Sequence, residues 1–308
     1  MNLLLTGAYS YSQTQIKLLE SLGLKIVYIQ DERIPLGFDV SDIDAVVCNG
    51  LFLYNEISKF KSLKFIQLTS AGIERVPIDY IKENNIIICN AKEVYSNSIA
   101  EFVILKVLEI FKKSRYFYKL QEECRWEKQR DLLELTDKYV SIIGYGDIGK
   151  AVAYRLKPFG VKLIGVGRRP IQSDLIDEYY LIDQLEEVLW KSDIIILTVP
   201  LTKQTFHLIN EHMLNQMKNN SVLVNISRGS IIDERALFHF VNNGKFLGVV
   251  LDVFEEEPLP RTNPLWGMER IIITPHNSYV SDKTNARLFS IIVNNLKNFI
   301  QNRQLKEL

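Results

Sequence analysis

The chain has 308 residues, of which 47% are hydrophobic and 24% charged, as in ordinary globular proteins. Lys and Arg together number 37, and so do Asp and Glu, so the formal net charge is zero and the basic surplus of a typical nucleic-acid binder is missing. Because the length exceeds the usual size of one hydrophobic core, we expect two domains.

The first part of the chain alternates short apolar runs with helical patterns. Strands are predicted at residues 2–6, 25–30, 45–48, 64–68 and 86–89, with a helix at 13–22. Short runs rich in Ile and Val, separated by helices, predict a parallel sheet covered on both faces.

The chain start and the cysteines both favour the cytoplasm. The segment MNLLLTGAYS lacks a basic region and fits a first strand better than a signal peptide. No apolar stretch approaches the ~20 residues that cross a bilayer. Cys48, Cys89 and Cys124 form no CxxC pair, so we predict neither a disulfide framework nor a metal site.

A long helical pattern from residue 98 to about residue 118 is interpreted as the crossover between domains. Ser96 or Ser98 is its candidate cap, and Glu101 stands three residues after Ser98, as in a capping box. Six strands are predicted further on, at residues 140–143, 162–166, 194–199, 222–226, 247–253 and 271–274. Six strands with helices between them are typical of a dinucleotide-binding domain.

The last segment, residues 281–303, carries apolar side chains on one helical face. They are Leu288, Ile291, Ile292, Leu296, Phe299 and Ile300. We expect this helix to return to the first domain. The predicted fold class is therefore α/β, with two doubly wound parallel-sheet domains. A flavodoxin-like substrate domain would comprise residues 1–97 and 282–308, and a Rossmann dinucleotide domain residues 98–281.

A glycine-rich turn, GYGDIG, follows a predicted strand and opens a helical run. Gly144 would make the tight turn, Gly146 would let a pyrophosphate approach the backbone, and Gly149 would let the helix pack on the strand. The N–H groups around Asp147 and Ile148 would meet the phosphate charge. This context favours a dinucleotide site over an ordinary glycine-rich turn.

The tip of the next strand bears on the choice of dinucleotide. An acidic residue there accepts hydrogen bonds from the ribose of NAD. This strand instead ends in Gly167, Arg168 and Arg169. Gly167 leaves room, and the planar donors of arginine suit a phosphate, so NADP(H) is favoured over NAD(H). The alternative is that both arginines are solvated or stack on adenine.

Three side chains that follow predicted strands could carry chemistry. Arg228 offers paired donors for a carboxylate. Histidine as a residue type titrates near neutrality, so His276 could donate a proton to an alkoxide. Glu257 lies in an acidic run, and a carboxylate next to an imidazole would fix its tautomer. Taken singly, each has a commoner explanation, a structural hydrogen bond or a solvated loop. The other histidines lack such a context and are interpreted as non-catalytic: His207, His212 and His239.

Short motifs along most of the chain resemble, in order and spacing, the D-isomer-specific 2-hydroxyacid dehydrogenases. They are SAGI at 70–73, IAE at 99–101, Trp126, VPLT at 199–202, NISRG at 225–229, LDVF at 251–254, EPL at 257–259 and TPH at 274–276. The second half matches more closely than the first. The resemblance is to glyoxylate/hydroxypyruvate reductase-like or phosphoglycerate dehydrogenase-like members.

The resemblance implies a role for each matching position. Arg228 would bind the substrate carboxylate and polarise the oxo group, while Glu257 and His276 would be the catalytic pair. The backbone N–H groups of a turn in the first domain would hold the carboxylate, at Ser70, Ala71 and Gly72. The cofactor surround would add Val199, Pro200, Thr205, Ile226 and Asp252, with Asp252 near the nicotinamide.

We therefore expect an oxidoreductase that transfers hydride between NADP(H) and a small 2-oxo or 2-hydroxy acid, acting as a 2-oxo acid reductase. The family often has small apolar residues where this chain has Asn277, Ser278 and Tyr279, so the acid stays open. Two alternatives remain: a formate- or phosphite-type dehydrogenase, and a cofactor-sensing protein without activity, such as the corepressors built on this fold. The resemblance also implies a homodimer through the dinucleotide domain, and the helix predicted at 98–118 is our candidate for that contact.

Overall fold

The computed structural model describes residues 1–303 and residue 305, and the chain divides into two compact units. Met1–Tyr95 and Ser281–Leu308 form the first unit, and Ser96–Val280 form the second. Of the helices within the described ranges, none has the length and apolar character needed to cross a membrane.

Twelve strands and nine α-helices lie in the described residues. The strands are β1 (Asn2–Thr6), β2 (Lys25–Ile29), β3 (Ala45–Cys48), β4 (Phe65–Leu68), β5 (Ile87–Cys89), β6 (Tyr139–Ile143), β7 (Lys162–Gly167), β8 (Glu178–Leu181), β9 (Ile194–Leu197), β10 (Ser221–Asn225), β11 (Phe246–Leu251) and β12 (Ile271–Ile273). The helices are α1 (Gln13–Glu20), α2 (Ile78–Glu83), α3 (Ser96–Phe111), α4 (Ser114–Glu122), α5 (Asp147–Leu156), α6 (Leu185–Lys191), α7 (Glu211–Gln216), α8 (Glu234–Asn242) and α9 (Thr284–Ile300).

The first unit is built on a parallel five-stranded sheet in the order β2-β1-β3-β4-β5. This is the flavodoxin-like order, as predicted. Leu3 and Leu5 lie in one buried cluster and Leu4 in another, because successive side chains of a strand point to opposite faces. Helix α9 buries Leu288 and Leu296 in the first of these clusters, so the chain end completes the core of this unit.

The second unit is built on a parallel seven-stranded sheet in the order β12-β11-β10-β9-β6-β7-β8. The predicted doubly wound dinucleotide fold is confirmed, with one strand more than the predicted six. The additional strand is β8, whose sequence EYYL is partly exposed along its whole length. An edge strand of this kind lacks the continuous apolar run that revealed the buried strands.

The predicted helix over residues 98–118 is wrong in its extent. Helix α3 ends at Phe111, and α4 begins at Ser114 after Lys113 takes a left-handed φ of 51°. No glycine or proline marks this break in the sequence. Ser98 lies inside α3 and does not cap it, because its hydroxyl donates to the carbonyls of Ser278 and Val280 at 2.9 and 2.7 Å.

Candidate active site

The parallel sheet of the second unit brings the predicted cofactor and catalytic residues to one edge. Since all seven strands run in the same direction, the residues that follow them meet at their carboxyl ends. These residues are Gly144 after β6, Gly167 at the end of β7, Val199 beyond β9, Ile226 after β10, Asp252 after β11 and His276 beyond β12. The order of strands therefore places the glycine-rich turn and the catalytic candidates at the same edge.

Each glycine of the turn between β6 and α5 has a distinct structural reason. Gly144 has a φ of 103°, and a Cβ there would lie 2.7 Å from the nitrogen of Val199. A Cβ on Gly149 would lie 2.7 Å from the carbonyl oxygen of Gly144. Beside Gly146 a Cβ would meet nothing within 4 Å, and no side chain caps the helix that begins at Asp147. Open space beside an uncapped helix start fits a pyrophosphate.

The loop after β9 adjoins this turn and is folded on itself. The Thr205 hydroxyl donates to the carbonyl of Pro200 at 2.6 Å and accepts the N–H of Thr202 at 2.7 Å. Thr198 donates to the carbonyl of Gly144 at 2.5 Å. These bonds fix the conformation of the loop and keep Val199 next to Gly144.

Arg228 is held by the turn that follows β10. The side chain of Asn225 donates to the Arg228 carbonyl at 2.9 Å and accepts the N–H of Ser227 at 3.1 Å. A guanidinium nitrogen of Arg228 donates to the Ser227 carbonyl at 2.7 Å. A Cβ on Gly229 would overlap the backbone of Phe254, so this glycine lets the turn press against the chain that leads to Glu257. Ile226 is buried at the root of the turn.

Glu257 and His276 form a hydrogen-bonded pair. Oε2 of Glu257 lies 2.8 Å from Nδ1 of His276, while its Oε1 accepts the N–H of Phe254 at 3.0 Å. The backbone N–H of His276 donates to the Asp252 carbonyl at 2.8 Å, and its φ is 50°. The side chains are 38% and 36% exposed, respectively, so both are accessible from solvent. With Nδ1 engaged, Nε2 is the nitrogen that can exchange a proton with a ligand.

Asp252 is fully buried and organises the segment around His276. Its Oδ1 accepts the Thr274 hydroxyl at 2.6 Å and the N–H of Asn277 at 2.8 Å. Its Oδ2 accepts the N–H of Ser278 at 3.0 Å. One carboxylate thus binds the chain on both sides of His276. The sequence assigns a role to Asp252 but none to Thr274 of the TPH motif, because a hydroxyl two residues before a histidine carries no functional signal of its own.

The space beside Gly167, expected to be open, is occupied. A Cβ on Gly167 would overlap the hydroxyl oxygen of Tyr179, which comes from the neighbouring strand β8. That hydroxyl donates to the Arg169 carbonyl at 2.7 Å. Arg168 and Arg169 are exposed. The glycine is therefore required by a tyrosine that sequence reasoning did not consider, since β8 itself was missed.

The predicted carboxylate-binding turn, Ser70 to Gly72, belongs to the first unit. Each of its carbonyl oxygens accepts an internal donor. The N–H of Ala91 donates to Ser70 at 2.9 Å, the Asn90 amide to Ala71 at 2.6 Å, and the Ser70 hydroxyl to Gly72 at 2.9 Å. These bonds fix the peptide planes of the turn.

The other histidines each pair with a neighbour on the surface. Nε2 of His207 lies 2.9 Å from Glu255, Nε2 of His212 lies 2.8 Å from Glu186, and Nε2 of His239 lies 3.1 Å from Asn243. Among the residues that the structure describes, no group of three or more His, Cys, Asp or Glu side chains could hold a metal ion. All three cysteines are unbridged.

The fold and the site define a dinucleotide-binding α/β oxidoreductase. Residues 104–278 match the family model described as "D-isomer specific 2-hydroxyacid dehydrogenase, NAD binding domain". The chain belongs to the D-isomer-specific 2-hydroxyacid dehydrogenase family, which confirms the resemblance seen in the sequence. Its reaction class is NAD(P)-dependent hydride transfer on 2-hydroxy or 2-oxo acids.

Two curated relatives illustrate the range of the family. The chain is 32% identical over 296 residues to a hydroxypyruvate reductase of Blautia hydrogenotrophica, covering 92% of this chain and 91% of that protein. It is 31% identical over 293 residues to a D-3-phosphoglycerate dehydrogenase of Methanocaldococcus jannaschii, covering 93% of this chain but only 55% of that longer protein.

Two solved structures share the fold. One is an NADPH-dependent glyoxylate/hydroxypyruvate reductase of Sinorhizobium meliloti in complex with NADP and malonate, with 26% identity, a TM-score of 0.83 and coverage of 100% of this chain and 96% of that one. The other is a D-lactate dehydrogenase of Aquifex aeolicus complexed with NAD and lactic acid, with 28% identity, a TM-score of 0.80 and coverage of 98% and 96%.

Proposed function

We propose that the protein reduces a small 2-oxo acid to the D-2-hydroxy acid with NADPH. The observation that carries this proposal is the Glu257–His276 pair, at the same sheet edge as the glycine-rich turn. A cofactor-binding protein without activity needs the turn but has no need of an accessible imidazole held by a carboxylate. Relatives named glyoxylate reductase and hydroxypyruvate reductase support reduction of such acids.

The side chains divide the work of the reaction between them. Gly146 and the start of α5 hold the pyrophosphate of the cofactor, which supplies a hydride to the carbonyl carbon when bound. Arg228 binds the substrate carboxylate, and its charge also polarises the oxo group. Nε2 of His276 donates a proton to the developing alkoxide. Glu257 stabilises the imidazolium before transfer and fixes its orientation. In the reverse direction Nε2 accepts the proton.

The preference for NADPH rests on the exposed arginines after β7. Both cofactors occur in the family, since the Sinorhizobium meliloti enzyme is described with NADP and the Aquifex aeolicus enzyme with NAD. A chain with Arg168 and Arg169, and no carboxylate at the strand tip, suits the 2′-phosphate. Replacing both arginines by Ala is expected to weaken NADPH far more than NADH. An equal loss of affinity for both cofactors would reject the preference.

A substrate panel tests the activity and its alternatives together. NADPH and NADH absorbance is followed with glyoxylate, hydroxypyruvate, pyruvate and branched 2-oxo acids, and the oxidised cofactors are tested with formate and phosphite. Turnover of a 2-oxo acid with NADPH is expected. Turnover of formate or phosphite alone would assign the enzyme to that class instead. Cofactor binding without turnover of any compound would favour the cofactor-sensing alternative.

We also propose that the protein forms a homodimer through the second unit. Exposed apolar side chains there support this, at Leu105 of α3, Tyr118 of α4, Trp126 and Tyr154 of α5. Trp126 is 97% exposed, an unusual state for a large apolar residue. Light scattering after size-exclusion chromatography is expected to give twice the chain mass, and Leu105→Glu is expected to give the monomer. A monomeric wild-type protein would reject the proposal.

A further inference from the structure

We infer that Tyr179 is a positioning residue for cofactor selection. Its hydroxyl fixes the backbone of the turn that carries Arg168 and Arg169, here called the arginine turn, and it occupies the space that a side chain at position 167 would need. The inference rests on the proposed preference for NADPH, and it names a residue outside the glycine-rich turn and the arginines themselves.

Strand β8 lies parallel to β7, with Tyr179 opposite Gly165 and Leu181 opposite Gly167. The tyrosine ring covers β7 along this stretch. A Cβ on Gly165 would lie 3.0 Å from Cδ2 of Tyr179, and a Cβ on Gly167 would overlap its hydroxyl oxygen. Both glycines therefore provide the surface on which the ring rests. The Tyr179 ring can take this position only because positions 165 and 167 have no side chain.

The hydroxyl of Tyr179 extends past Gly167 and donates to the Arg169 carbonyl at 2.7 Å. A second tyrosine holds the following part of the same loop. Tyr145, inside the glycine-rich turn, has its hydroxyl 3.0 Å from that of Ser173, and its ring lies 6.4 Å from the Tyr179 ring in an edge-on arrangement. The loop after β7 is thus fastened at Arg169 and at Ser173 by two aromatic side chains that contact each other.

This arrangement has two consequences for the cofactor. Fixing the Arg169 carbonyl limits the backbone conformations from which Arg168 and Arg169 extend, so less entropy is lost when a phosphate orders them. An acidic side chain at position 167, which would accept the ribose hydroxyl of NAD, has no space while the Tyr179 hydroxyl is present. Tyr179 thus favours the phosphate-bearing dinucleotide by ordering its ligands, while its hydroxyl explains why position 167 is a glycine.

The first test removes only the hydroxyl, with Tyr179→Phe. The ratio of kcat/KM for NADPH to that for NADH is expected to fall about three- to tenfold, as for the loss of one hydrogen bond. The change should appear in the KM for NADPH, with kcat and the NADH parameters nearly unchanged. Tyr180→Phe is the matched control, because the Tyr180 hydroxyl bonds to Glu178 and Lys191 and not to the arginine turn. Its ratio is expected to equal that of the wild type.

The second test is a double-mutant cycle with Gly167→Ala, read out by Tm. In the wild-type background the new methyl group overlaps the hydroxyl, so a clear loss of Tm is expected. In the Tyr179→Phe background the nearest remaining atom of that ring is Cζ, at 3.4 Å from the Cβ position, which is an ordinary contact. The loss is therefore expected to shrink. Equal losses of Tm in the two backgrounds would overturn the claim that the Tyr179 hydroxyl occupies the space beside Gly167.

The two proposals fail in different ways. A wild-type enzyme that does not prefer NADPH overturns both the cofactor preference and this inference. A wild-type enzyme that prefers NADPH, and keeps its ratio in Tyr179→Phe, overturns only the inference. A fall of the ratio in Tyr179→Phe but not in Tyr180→Phe, together with a non-additive cycle, supports it.

Discussion

Oε2 of Glu257 lies 2.8 Å from Nδ1 of His276, and the other carboxylate oxygen is anchored by the N–H of Phe254 at 3.0 Å. The backbone N–H of Phe254 therefore fixes the position of the Glu257 carboxylate, and the carboxylate in turn fixes the orientation of the imidazole. The histidine has a second anchor in its backbone, since the main-chain N–H of His276 donates to the carbonyl of Asp252 at 2.8 Å. Two independent attachments define the direction of Nε2, which is the requirement for proton transfer at one defined atom.

His276→Asn is expected to collapse turnover while the cofactor still binds. Loss of a positioned acid–base group typically lowers kcat by about 10²–10⁴. His212→Asn is the matched control, since the same change is made at a histidine paired with Glu186 on the surface. Steady-state kinetics and a fluorescence titration with NADPH check the result. Turnover within a few-fold of the wild type would show that His276 is not the catalytic acid.

The glycines of the turn after β6 are expected to respond to alanine in opposite ways. Gly146→Ala adds a methyl group in open space, so Tm should be unchanged while NADPH affinity falls, because the methyl group enters the space for the pyrophosphate. Gly149→Ala places its methyl group 2.7 Å from the Gly144 carbonyl oxygen, so Tm should fall before any ligand is added. Thermal unfolding with and without NADPH separates the two. A lower Tm for ligand-free Gly146→Ala would contradict the assignment.

The parts of the fold that sequence revealed are those built from continuous apolar runs. Strands such as β3 and β9 are buried along their whole length and were recognisable from composition alone. Strand β8 escaped because Glu178–Leu181 is half-exposed. The break before α4 escaped because Lys113 takes a left-handed conformation with no glycine to indicate it. The local sequence pattern predicts buried strands well, but it predicts irregular backbone conformations poorly.

The site shows a similar division. Spacing predicts a tight turn at Gly144 and close helix packing at Gly149, and a Cβ at either position would lie within 3 Å of backbone atoms. The pyrophosphate role of Gly146 stays a prediction. The expectation that Gly167 leaves open room is wrong, because the group that fills its space comes from another strand. A residue's own motif cannot show which side chain crosses to it from a neighbouring strand. Such neighbours can be identified only once the order of the strands in the sheet is known.

Asp252→Asn is expected to lower both stability and kcat. The carboxylate accepts three donors without exposure to water, and an amide would present its own N–H groups to one of them. A buried donor left without an acceptor costs about 1–3 kcal/mol. At about 2–4 °C per kcal/mol for a domain of this size, the fall in Tm is measurable by calorimetry.

Thr274→Val provides the graded comparison for Asp252→Asn. It removes the hydroxyl donor and leaves both N–H donors on the Asp252 carboxylate, so a smaller loss of Tm is expected. The loss of kcat should follow the same order, because the segment from Asn277 to Ser278 is fixed by the two bonds that Thr274→Val retains. A larger effect for Thr274→Val would show that the carboxylate does not organise the segment.

Glu234→Gln is expected to stabilise the protein increasingly as pH rises. Glu234 begins α8, and its carboxylate accepts the N–H of Glu255 at 2.6 Å. Burial, together with the charges of Glu255 and Glu257, raises the pKa of Glu234 above its ordinary value of 4.5, although the hydrogen bond from Glu255 opposes the rise. A raised pKa means that the folded state binds this proton more tightly than the unfolded state does.

The sign of the pH dependence follows from that difference. The stability that protonated Glu234 contributes is complete below pH 4.5, its ordinary value, and is lost as pH rises through the raised pKa of the folded state. Glutamine is neutral throughout and keeps an oxygen for the Glu255 N–H. The Tm of Glu234→Gln relative to wild type should therefore increase from acidic pH to neutral pH and then level off.

Glu211→Gln is the control, because Glu211 begins α7 as Glu234 begins α8 but is exposed. It reports the effect of losing a negative charge at a helix start, which is itself modestly destabilising. Subtracting that effect isolates the contribution of burial and of the neighbouring carboxylates. If the Tm of Glu234→Gln relative to wild type instead falls with rising pH, Glu234 is stabilised in its charged form. Burial and the charges of Glu255 and Glu257 would then not disfavour its ionisation.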